Sequence, residues 1–290
     1  MGAARPRVDL HTHSTASDGT DTPAELMVRA GEAGLDVVAL TDHDTTAGWG
    51  SAAAALPQGL TLVPGLEISC VSTLGGRSVS LHLLAYLVNP DHPPLAAELA
   101  ALRESRLGRG EEMVRRLRAA GHPVTWSRVE ELAAGGSVGR PHVARALMDA
   151  GLVPSVEAAF RDEWIGHGGR YWVPKVDLDP VHAVRLVAEA GGVSVFAHPL
   201  ASARGPVVGE EVIEAMAEAG LGGIEVDHPE HAPEARRRAA QIAVSLGLLA
   251  TGSSDYHGTS KPQGLGAETT DPGVYAALVD RGTGSAPVRG

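Results

Sequence analysis

Residues 8–20 read VDLHTHSTASDGT and place three potential metal ligands directly after a short apolar run. His11 and His13 are two positions apart, so in an extended backbone both imidazoles point to the same side. Asp18 follows within a segment rich in Ser, Thr and Gly. Two imidazoles and a carboxylate at the end of a predicted strand indicate a metal site, and later segments repeat the arrangement.

The length and composition of the chain limit the classes of protein to which it can belong. The 290 residues suffice for one large α/β domain or two ordinary ones, and 43% of them are hydrophobic. A net charge of −11 and an aromatic content of 3% argue against a basic nucleic-acid surface and against base-stacking platforms. Cys70 is the only cysteine, which excludes an intrachain disulfide and is typical of a reducing compartment. With no signal peptide or apolar span in the sequence, we expect a cytoplasmic protein that does not bind membranes.

Strand and helix signals alternate along two parts of the chain, residues 7–92 and 174–270, which we assign to one barrel domain. Between them, residues 93–173 read as charged, Arg-rich helices without clear strands, which predicts a helical insertion or cap. About seven strand candidates favour a closed or nearly closed parallel β/α barrel over an open sheet. Residues 271–290 are predicted to form a C-terminal tail with a disordered end.

Histidines and carboxylates recur at the ends of the predicted strands. In a β/α barrel the carboxyl ends of the strands converge on one face, where active sites form. Burying such a cluster is costly unless cations compensate it, and a catalytic zinc uses about three protein ligands. The pattern therefore predicts two to three divalent ions, with Mn, Fe and Zn all compatible with mixed imidazole and carboxylate ligands. The predicted ligands are His11, His13, Asp18, His43, Glu67, His82, His198, Asp255 and His257.

Two further residues near these strand ends have other predicted roles. Asp42, beside His43, is a candidate for orienting a metal ligand through a hydrogen bond. A plain strand-end cap is the alternative reading of Asp42. Cys70, three residues after Glu67, is interpreted as a small buried hydrophobe rather than a thiolate ligand.

The ordered motifs DLHTHSTASDGT, ALTDHD, GLEIS, LHLLAY, AHP and GSSDYHG resemble those of the PHP (polymerase and histidinol phosphatase) domain over roughly residues 7–270. The resemblance implies a distorted (β/α)7 barrel, an α/β fold, with up to three metals. By motif, the first metal would be held by His11, His13, Glu67 and Asp255. Glu67 would bridge to a second metal held by His82 and His198, and the third would be held by Asp18, His43 and His257.

The sequence of the predicted insertion resembles one branch of this family. GSVGRPHVARALMDAGLVPSVEAAFRDEWIGHGGRYWVPK is similar to a segment of the TrpH-like branch, whose members are nucleotide phosphoesterases that include the RNase AM type. This resemblance implies a metal-dependent phosphoric ester hydrolase. The implied reactions are removal of the 3'-phosphate from nucleoside 3',5'-bisphosphates and 5'-to-3' trimming of short oligoribonucleotides.

A phosphate-rich substrate needs cations beyond the metals. Arg140, His142, Lys175 and Arg204 are the predicted substrate-binding residues, and His142 is also a possible acid for the leaving oxygen. The serines of TGSSDYHG do not form a G-x-S-x-G nucleophile elbow, and no other serine stands out as a nucleophile, so the attacking group is expected to be metal-activated water. His228 and His231 lie near the sixth strand end, outside the motif positions. The run EARRR at 234–238 is interpreted as a solvated helix face.

Two other functions remain open from sequence. One is a small-metabolite phosphatase of the histidinol-phosphate type, which would need fewer cations in the cap. The other is a proofreading or scaffold module associated with a polymerase, which would predict a polymerase domain in the same chain. The expected partner is a phosphorylated small molecule, a nucleotide or a short RNA end, rather than long duplex DNA. The oligomeric state is open.

Overall fold

Seven strands form one sheet that curls into a nearly closed barrel. The computed structural model describes residues 5–73, 76, 78–174, 176–202 and 205–290. In chain order the strands are β1 (Val8–Asp9), β2 (Val37–Leu40), β3 (Thr61–Ser72), β4 (Val79–Tyr86), β5 (Val193–Phe196), β6 (Gly223–Asp227) and β7 (Leu249–Gly252), and their order in the sheet is the same. The amide of His13 donates to the carbonyl of Tyr256 at 2.8 Å, which joins the two ends of the sheet. The predicted barrel fold is confirmed.

Helices cover the outside of the barrel and form a separate lobe. They are α1 (Pro23–Glu32), α2 (Trp49–Ala54), α3 (Pro93–Ala119), α4 (Trp126–Ala133), α5 (Arg140–Asp149), α6 (Val156–Ala159), α7 (Pro180–Glu189), α8 (Glu210–Glu218), α9 (Pro233–Leu246) and α10 (Pro272–Arg281). Within the described parts of the chain, none of these helices combines the length and the apolar character needed to cross a bilayer.

Local sequence explains where helix α1 begins and ends. The Thr22 hydroxyl accepts from the amide of Glu25, and the Glu25 carboxylate accepts in return from the amide of Thr22, which completes a capping box. Pro23 occupies the first turn, where its missing N–H has no cost. Gly34, with φ of +71°, ends the helix in the left-handed region that glycine adopts readily.

One strand departs from the predicted parallel arrangement. β4 pairs antiparallel with both β3 and β5, whereas β1–β2–β3 and β5–β6–β7 are parallel. Only residues 73–78 separate β3 from β4, and so short a connection permits only an antiparallel pair. The reversal brings the first half of β4, which carries His82, to the barrel end where the other strands finish.

The helical insertion has its own hydrophobic core. Met113, Val114 and Leu117 from the second half of α3 pack with residues of α4, α5 and α6, whereas Leu95 and Leu99 from its first half pack against the barrel. The single 27-residue helix α3 therefore belongs to both cores. We propose that the chain divides into a barrel and an insertion. The boundary between their two hydrophobic cores lies within α3 rather than at residue 93.

The C-terminal segment is ordered, which corrects the prediction of a disordered end. After α10, a further strand β8 (Val288–Arg289) pairs antiparallel with Thr61 and Leu62 of β3. The amides of Thr283 and Gly284 both donate to the carbonyl of Gly191, at 2.7 and 2.9 Å. Backbone hydrogen bonds to the barrel, which composition does not reveal, hold this glycine-rich segment in place.

Candidate active site

All nine sequence-predicted ligands lie together at the barrel end where the parallel strands finish. They come from loops after β1, β2, β5 and β7 and from within β3 and β4. Eight are buried, and the side chain of His82 is 22% exposed. Three groups of these side chains have ligand atoms within 4.8 Å of one another, as metal binding requires. The first is His11, His13 and Asp255, with Glu67 beside them; the second is His43, Glu67 and His82; the third is His13, Asp18, His43 and His257.

The first group has the spacing of ligands around one ion. The Nε2 atoms of His11 and His13 are 3.1 Å apart, and they lie 3.3 and 3.1 Å from Oε2 of Glu67. Oδ1 of Asp255 is 3.4 and 3.5 Å from the same two nitrogens. Atoms bonded at about 2.0–2.2 Å to a common ion in tetrahedral geometry are separated by roughly 3.3–3.6 Å. These residues fit a divalent metal in both donor type and separation.

Glu67 is the hub of the cluster. Its Oε1 lies 2.8 Å from Nδ1 of His82 and 3.1 Å from Nε2 of His198, while its Oε2 lies 3.2 Å from Nδ1 of His43. The buried Nδ1 atoms of His43 and His82 make no well-aligned hydrogen bond with any described residue. Buried nitrogens directed at a carboxylate without donating to it are expected where a cation binds between them. Glu67 can therefore bridge two ions.

Asp18 organises the third group. Its Oδ1 lies 3.4 Å from Nε2 of His257 and 3.6 Å from Nδ1 of His13, and its Oδ2 lies 3.7 Å from Nε2 of His43. His13 and His43 each face two of the three groups. The third group is therefore continuous with the other two, whereas the motifs imply a shared residue only between the first and the second.

Two of the predicted ligands have unusual backbone conformations. His198 has φ of +34° and Asp255 has φ of +51°. The left-handed region costs a residue with a Cβ of order 1 kcal/mol or more, and such residues concentrate at functional sites. The turns after β5 and β7 thus hold strained residues that direct both side chains into the cluster.

The protonation of the cluster follows from its carboxylates and its burial. Burial opposes the charged form of His11, but Glu225, Asp255 and Glu67 hold its pKa well above the ordinary value. Burial lowers the pKa of His43 well below the ordinary value, which leaves this ring neutral and able to donate a lone pair. Burial also opposes ionisation of Glu67, yet His82, His43 and His11 keep its pKa well below the ordinary value. Glu67 is therefore ionised at neutral pH, and its negative charge favours cation binding in the cluster.

Sequence analysis missed Glu225 on β6. This fully buried carboxylate accepts from Nδ1 of His11 at 3.0 Å, from the amide of His198 at 2.7 Å and from the hydroxyl of Ser253. The hydrogen bond to Nδ1 orients the ring so that Nε2 of His11 faces the cluster, where a metal ion would replace its proton. A carboxylate flanked by Ile224 and Val226 in an otherwise apolar part of the strand was the signal that could have revealed it.

We expect Glu225→Gln to weaken metal binding by about 10–100-fold while the fold is kept. The amide still occupies the space but accepts a weaker hydrogen bond from His11, whose tautomer and orientation are then less well held. Metal content after dialysis against graded manganese measures the effect. Glu218→Gln, at the exposed end of α8, is the matched control. Equal metal affinity in wild type and Glu225→Gln would contradict the assigned role.

Asp255 has two more neighbours: His228, which lies near the sixth strand end and could reach the site, and Lys261, which was not predicted from sequence. Its Oδ2 lies 3.3 Å from Nε2 of His228 and accepts from Nζ of Lys261 at 2.6 Å. These contacts leave Oδ1 directed at His11 and His13. His231, by contrast, uses both ring nitrogens in backbone hydrogen bonds with Val226 and Leu200 and stabilises the turn after β6.

Asp42 lies beneath the cluster. It is buried and accepts from the amide and hydroxyl of Ser14 and from the hydroxyl of Ser17, at 2.6–2.8 Å. The Ser17 hydroxyl lies 3.4 Å from Nδ1 of His13. Asp42 therefore holds the loop that carries His13 and Asp18, and the role predicted for it in orienting a metal ligand stays a prediction.

His142 does not have the environment of an acid. It is 1% exposed, its Nδ1 accepts from the amide of Gly139 at 2.9 Å, and its ring also hydrogen-bonds the backbone of Ser17. Burial lowers the pKa of His142 to about 4, so the ring is neutral. With both nitrogens engaged by backbone, His142 joins the start of α5 to the ligand loop instead of donating a proton.

Arg140 lies in a group of three arginines, of which Arg106 adjoins the cluster and interacts electrostatically with His43 and Asp18. Arg106 is paired with Asp44, and Arg109 donates to the carbonyl of Val173 at 2.7 Å. The Arg140 guanidinium lies over the ring of Phe160, 5.2 Å from its centroid, and makes no hydrogen bond to a described residue. Two other predicted substrate residues, Lys175 and Arg204, lie outside the described residues.

The arginines repel one another. Burial, together with Arg140 and Arg106, lowers the pKa of Arg109 to about 9, and burial with Arg106 lowers that of Arg140 to about 10. Asp177 offsets part of the charge. Both arginines are still protonated at neutral pH, so the group attracts anions.

The PHP domain family model matches residues 9–101, which include the first six predicted ligands. A phosphoribosyl 1,2-cyclic phosphate 1,2-diphosphodiesterase of Eggerthella lenta is 37% identical over 256 residues, which are 86% of this chain and 94% of that protein. This chain belongs to the PHP family. A 3',5'-nucleoside bisphosphate phosphatase of Chromobacterium violaceum is 35% identical over 86% of this chain and 87% of its own length. The 5'-3' exoribonuclease Rnm of Salmonella typhimurium is 32% identical over 86% of this chain and 84% of its own length.

A solved PHP structure has the same architecture. The crystal structure of a candidate metal-dependent phosphoesterase from Bifidobacterium adolescentis superposes with a TM-score of 0.88 at 37% identity, covering 96% of this chain and 97% of the other. The prediction of a PHP metal-dependent phosphoric ester hydrolase of the nucleotide phosphoesterase branch is confirmed by these relatives.

Proposed function

We propose that this PHP enzyme hydrolyses phosphate esters of small nucleotides, with nucleoside 3',5'-bisphosphates as the leading substrate and short RNA 5' ends as the second. The observation that carries the proposal is the position of the three arginines beside the buried ligand cluster. A substrate with one phosphate needs only the cluster, whereas a second phosphate needs further cations. Relatives named for a bisphosphate, a cyclic ribosyl phosphate and RNA support a substrate of this kind.

We also propose that the cluster holds two to three divalent ions. His11, His13, Glu67 and Asp255 would hold the first, and Glu67, His82 and His198 the second. Asp18, His43 and His257 would hold the third. The nitrogen and oxygen donors suit manganese, iron or zinc. Four buried carboxylates, those of Asp18, Glu67, Asp255 and Glu225, face few fixed cations and support this number of ions.

The chemistry divides between the ions and the protein. When bound, divalent ions acidify water and neutralise charge on phosphate oxygens. The chain orients the ligands through Glu225 and Asp42 and excludes bulk water by burying the cluster. Lys261, whose side chain is 24% exposed, places an ammonium group next to Asp255 on the accessible side, where it can meet a phosphate oxygen.

The test is phosphate release by the manganese-loaded protein from adenosine 3',5'-bisphosphate, a short 5'-phosphorylated RNA and histidinol phosphate, with a chelator control. We expect chelator-sensitive turnover of the bisphosphate or the RNA and none of histidinol phosphate. Turnover of histidinol phosphate alone would overturn the proposal in favour of the small-metabolite alternative.

Arg140→Ala tests the second-phosphate role. Hydrogen bonds to charged groups contribute about 1.5–3 kcal/mol, so we expect KM for adenosine 3',5'-bisphosphate to rise roughly 10–100-fold. The value of kcat should change little, and KM for adenosine 3'-monophosphate should stay the same. Steady-state kinetics on both substrates measure this, with Arg237→Ala on the exposed face of α9 as control. An equal rise in KM for both substrates would contradict recognition of a second phosphate.

A further inference from the structure

Helix α5 separates two spaces beside the ligand cluster. Arg140 and Val143 face the narrow space between the arginines, whereas Arg145 and Met148 face a cleft of about 300 Å³. The opposite wall of the cleft includes Thr20 and Ser260. These two residues lie on the loops that carry Asp18 and His257, so the cleft adjoins the third ligand group.

The cleft does not have the character of an anion site. The Arg145 guanidinium already donates to the carbonyl of Asp18 and to the hydroxyl of Ser260, the latter at 2.6 Å. Glu157 adds an exposed carboxylate to the cleft lining. This contrasts with the other side of α5, where no described carboxylate lies within ion-pair distance of Arg109 or Arg140. A second phosphate is therefore disfavoured in the cleft.

The lining suits a neutral, flat, polar ring. Met148, Pro154 and Val156 supply apolar contacts, and the hydroxyls of Ser155 and Ser260 can donate or accept hydrogen bonds. The unbranched methionine side chain adapts to flat ring systems. A volume of about 300 Å³ lies at the lower end of the range for small-molecule sites, about 300–1,000 Å³.

We propose that this cleft binds the nucleobase of the substrate. The inference rests on the proposed function and deepens it. With the scissile phosphate at the ligand cluster, the ribose would reach α5, the second phosphate would meet Arg140 on one side, and the base would enter the cleft on the other. Apolar and hydroxyl contacts without an aromatic platform would accept different bases.

Calorimetric binding of AMP and of ribose 5-phosphate to the manganese-loaded protein tests the cleft without turnover. We expect AMP to bind at least about tenfold more tightly than ribose 5-phosphate in the wild type. Met148→Trp fills part of the cleft and should lower the affinity for AMP by about tenfold. The affinity for ribose 5-phosphate should stay within about twofold of the wild-type value. Val244→Trp, at a position 84% exposed on α9, should change neither.

Equal affinity for AMP and ribose 5-phosphate in the wild type would overturn the base site, as would an equal effect of Met148→Trp on both ligands. Thr259→Trp, on the barrel side of the cleft, replaces Met148→Trp if that variant does not fold. Failure of the proposed function is distinct, because it appears as absent hydrolysis of the bisphosphate. A base-dependent affinity that Met148→Trp changes would stand even then.

Discussion

Replacing Glu67 by Gln should reduce turnover at least about 1,000-fold. The two carboxylate oxygens of Glu67 lie 2.8–3.3 Å from nitrogens of five histidines, so this one side chain joins the proposed first and second metal positions. Gln keeps the volume but removes the negative charge and one acceptor. Loss of several kcal/mol of metal-assisted stabilisation corresponds to at least this factor in rate.

Metal content distinguishes loss of the bridge from general damage. We expect Glu67→Gln to lose about one ion per chain relative to the wild type, measured by elemental analysis after gel filtration. The control is Glu210→Gln, at an exposed carboxylate on α8. Full metal occupancy combined with normal turnover in Glu67→Gln would rule out Glu67 as the bridging ligand.

Removal of bound metal should have the second large effect, on stability as well as activity. The buried carboxylates repel one another when no cation lies between them. Metal at about 100 times its dissociation constant adds about 2.7 kcal/mol to the free energy of unfolding. For a chain of this size, we expect chelation to lower Tm by roughly 5–10 °C and to abolish turnover. Thermal unfolding with manganese and with chelator measures the shift.

A variant that lacks two of the proposed metal-binding side chains tests whether the change in Tm comes from this cluster. In the double variant His11→Asn, His13→Asn, the change in Tm between manganese and chelator should become smaller, because both histidine ligands proposed for the first ion are lost. If the double variant shows the full wild-type shift, an ion held by His11 and His13 does not contribute to the stabilisation.

The ligand residues could be predicted because metal binding depends on residue type and on local spacing. His11 and His13, two apart after an apolar run, must share a side of extended backbone. Asp255 and His257 have the same spacing in sequence, but Asp255 adopts φ of +51° in the turn after β7. The ends of helix α1 are likewise set by local sequence, because Thr22, Pro23 and Gly34 each act within one turn of the helix.

Other features depended on contacts distant in sequence. The partner of Glu225 is set only by barrel closure, which places its Oε1 3.0 Å from Nδ1 of His11, 214 positions earlier. Arg106 and Arg109 lie on a long charged helix whose pattern predicts solvent exposure. The packing of α3 against α5 brings them beside Arg140.

The sequence by itself determined the residue types of the metal centre, the α/β barrel class and the family, because ordered motifs and strand periodicity are local. Tertiary structure decided the reversed direction of β4 and the ordered conformation of the C-terminal segment. It also decided the hydrogen bonds of His142 to backbone groups and the two spaces flanking α5. Each of these depends on which backbone groups and side chains meet across the barrel. That pairing is set by packing and hydrogen bonds between segments far apart in the chain.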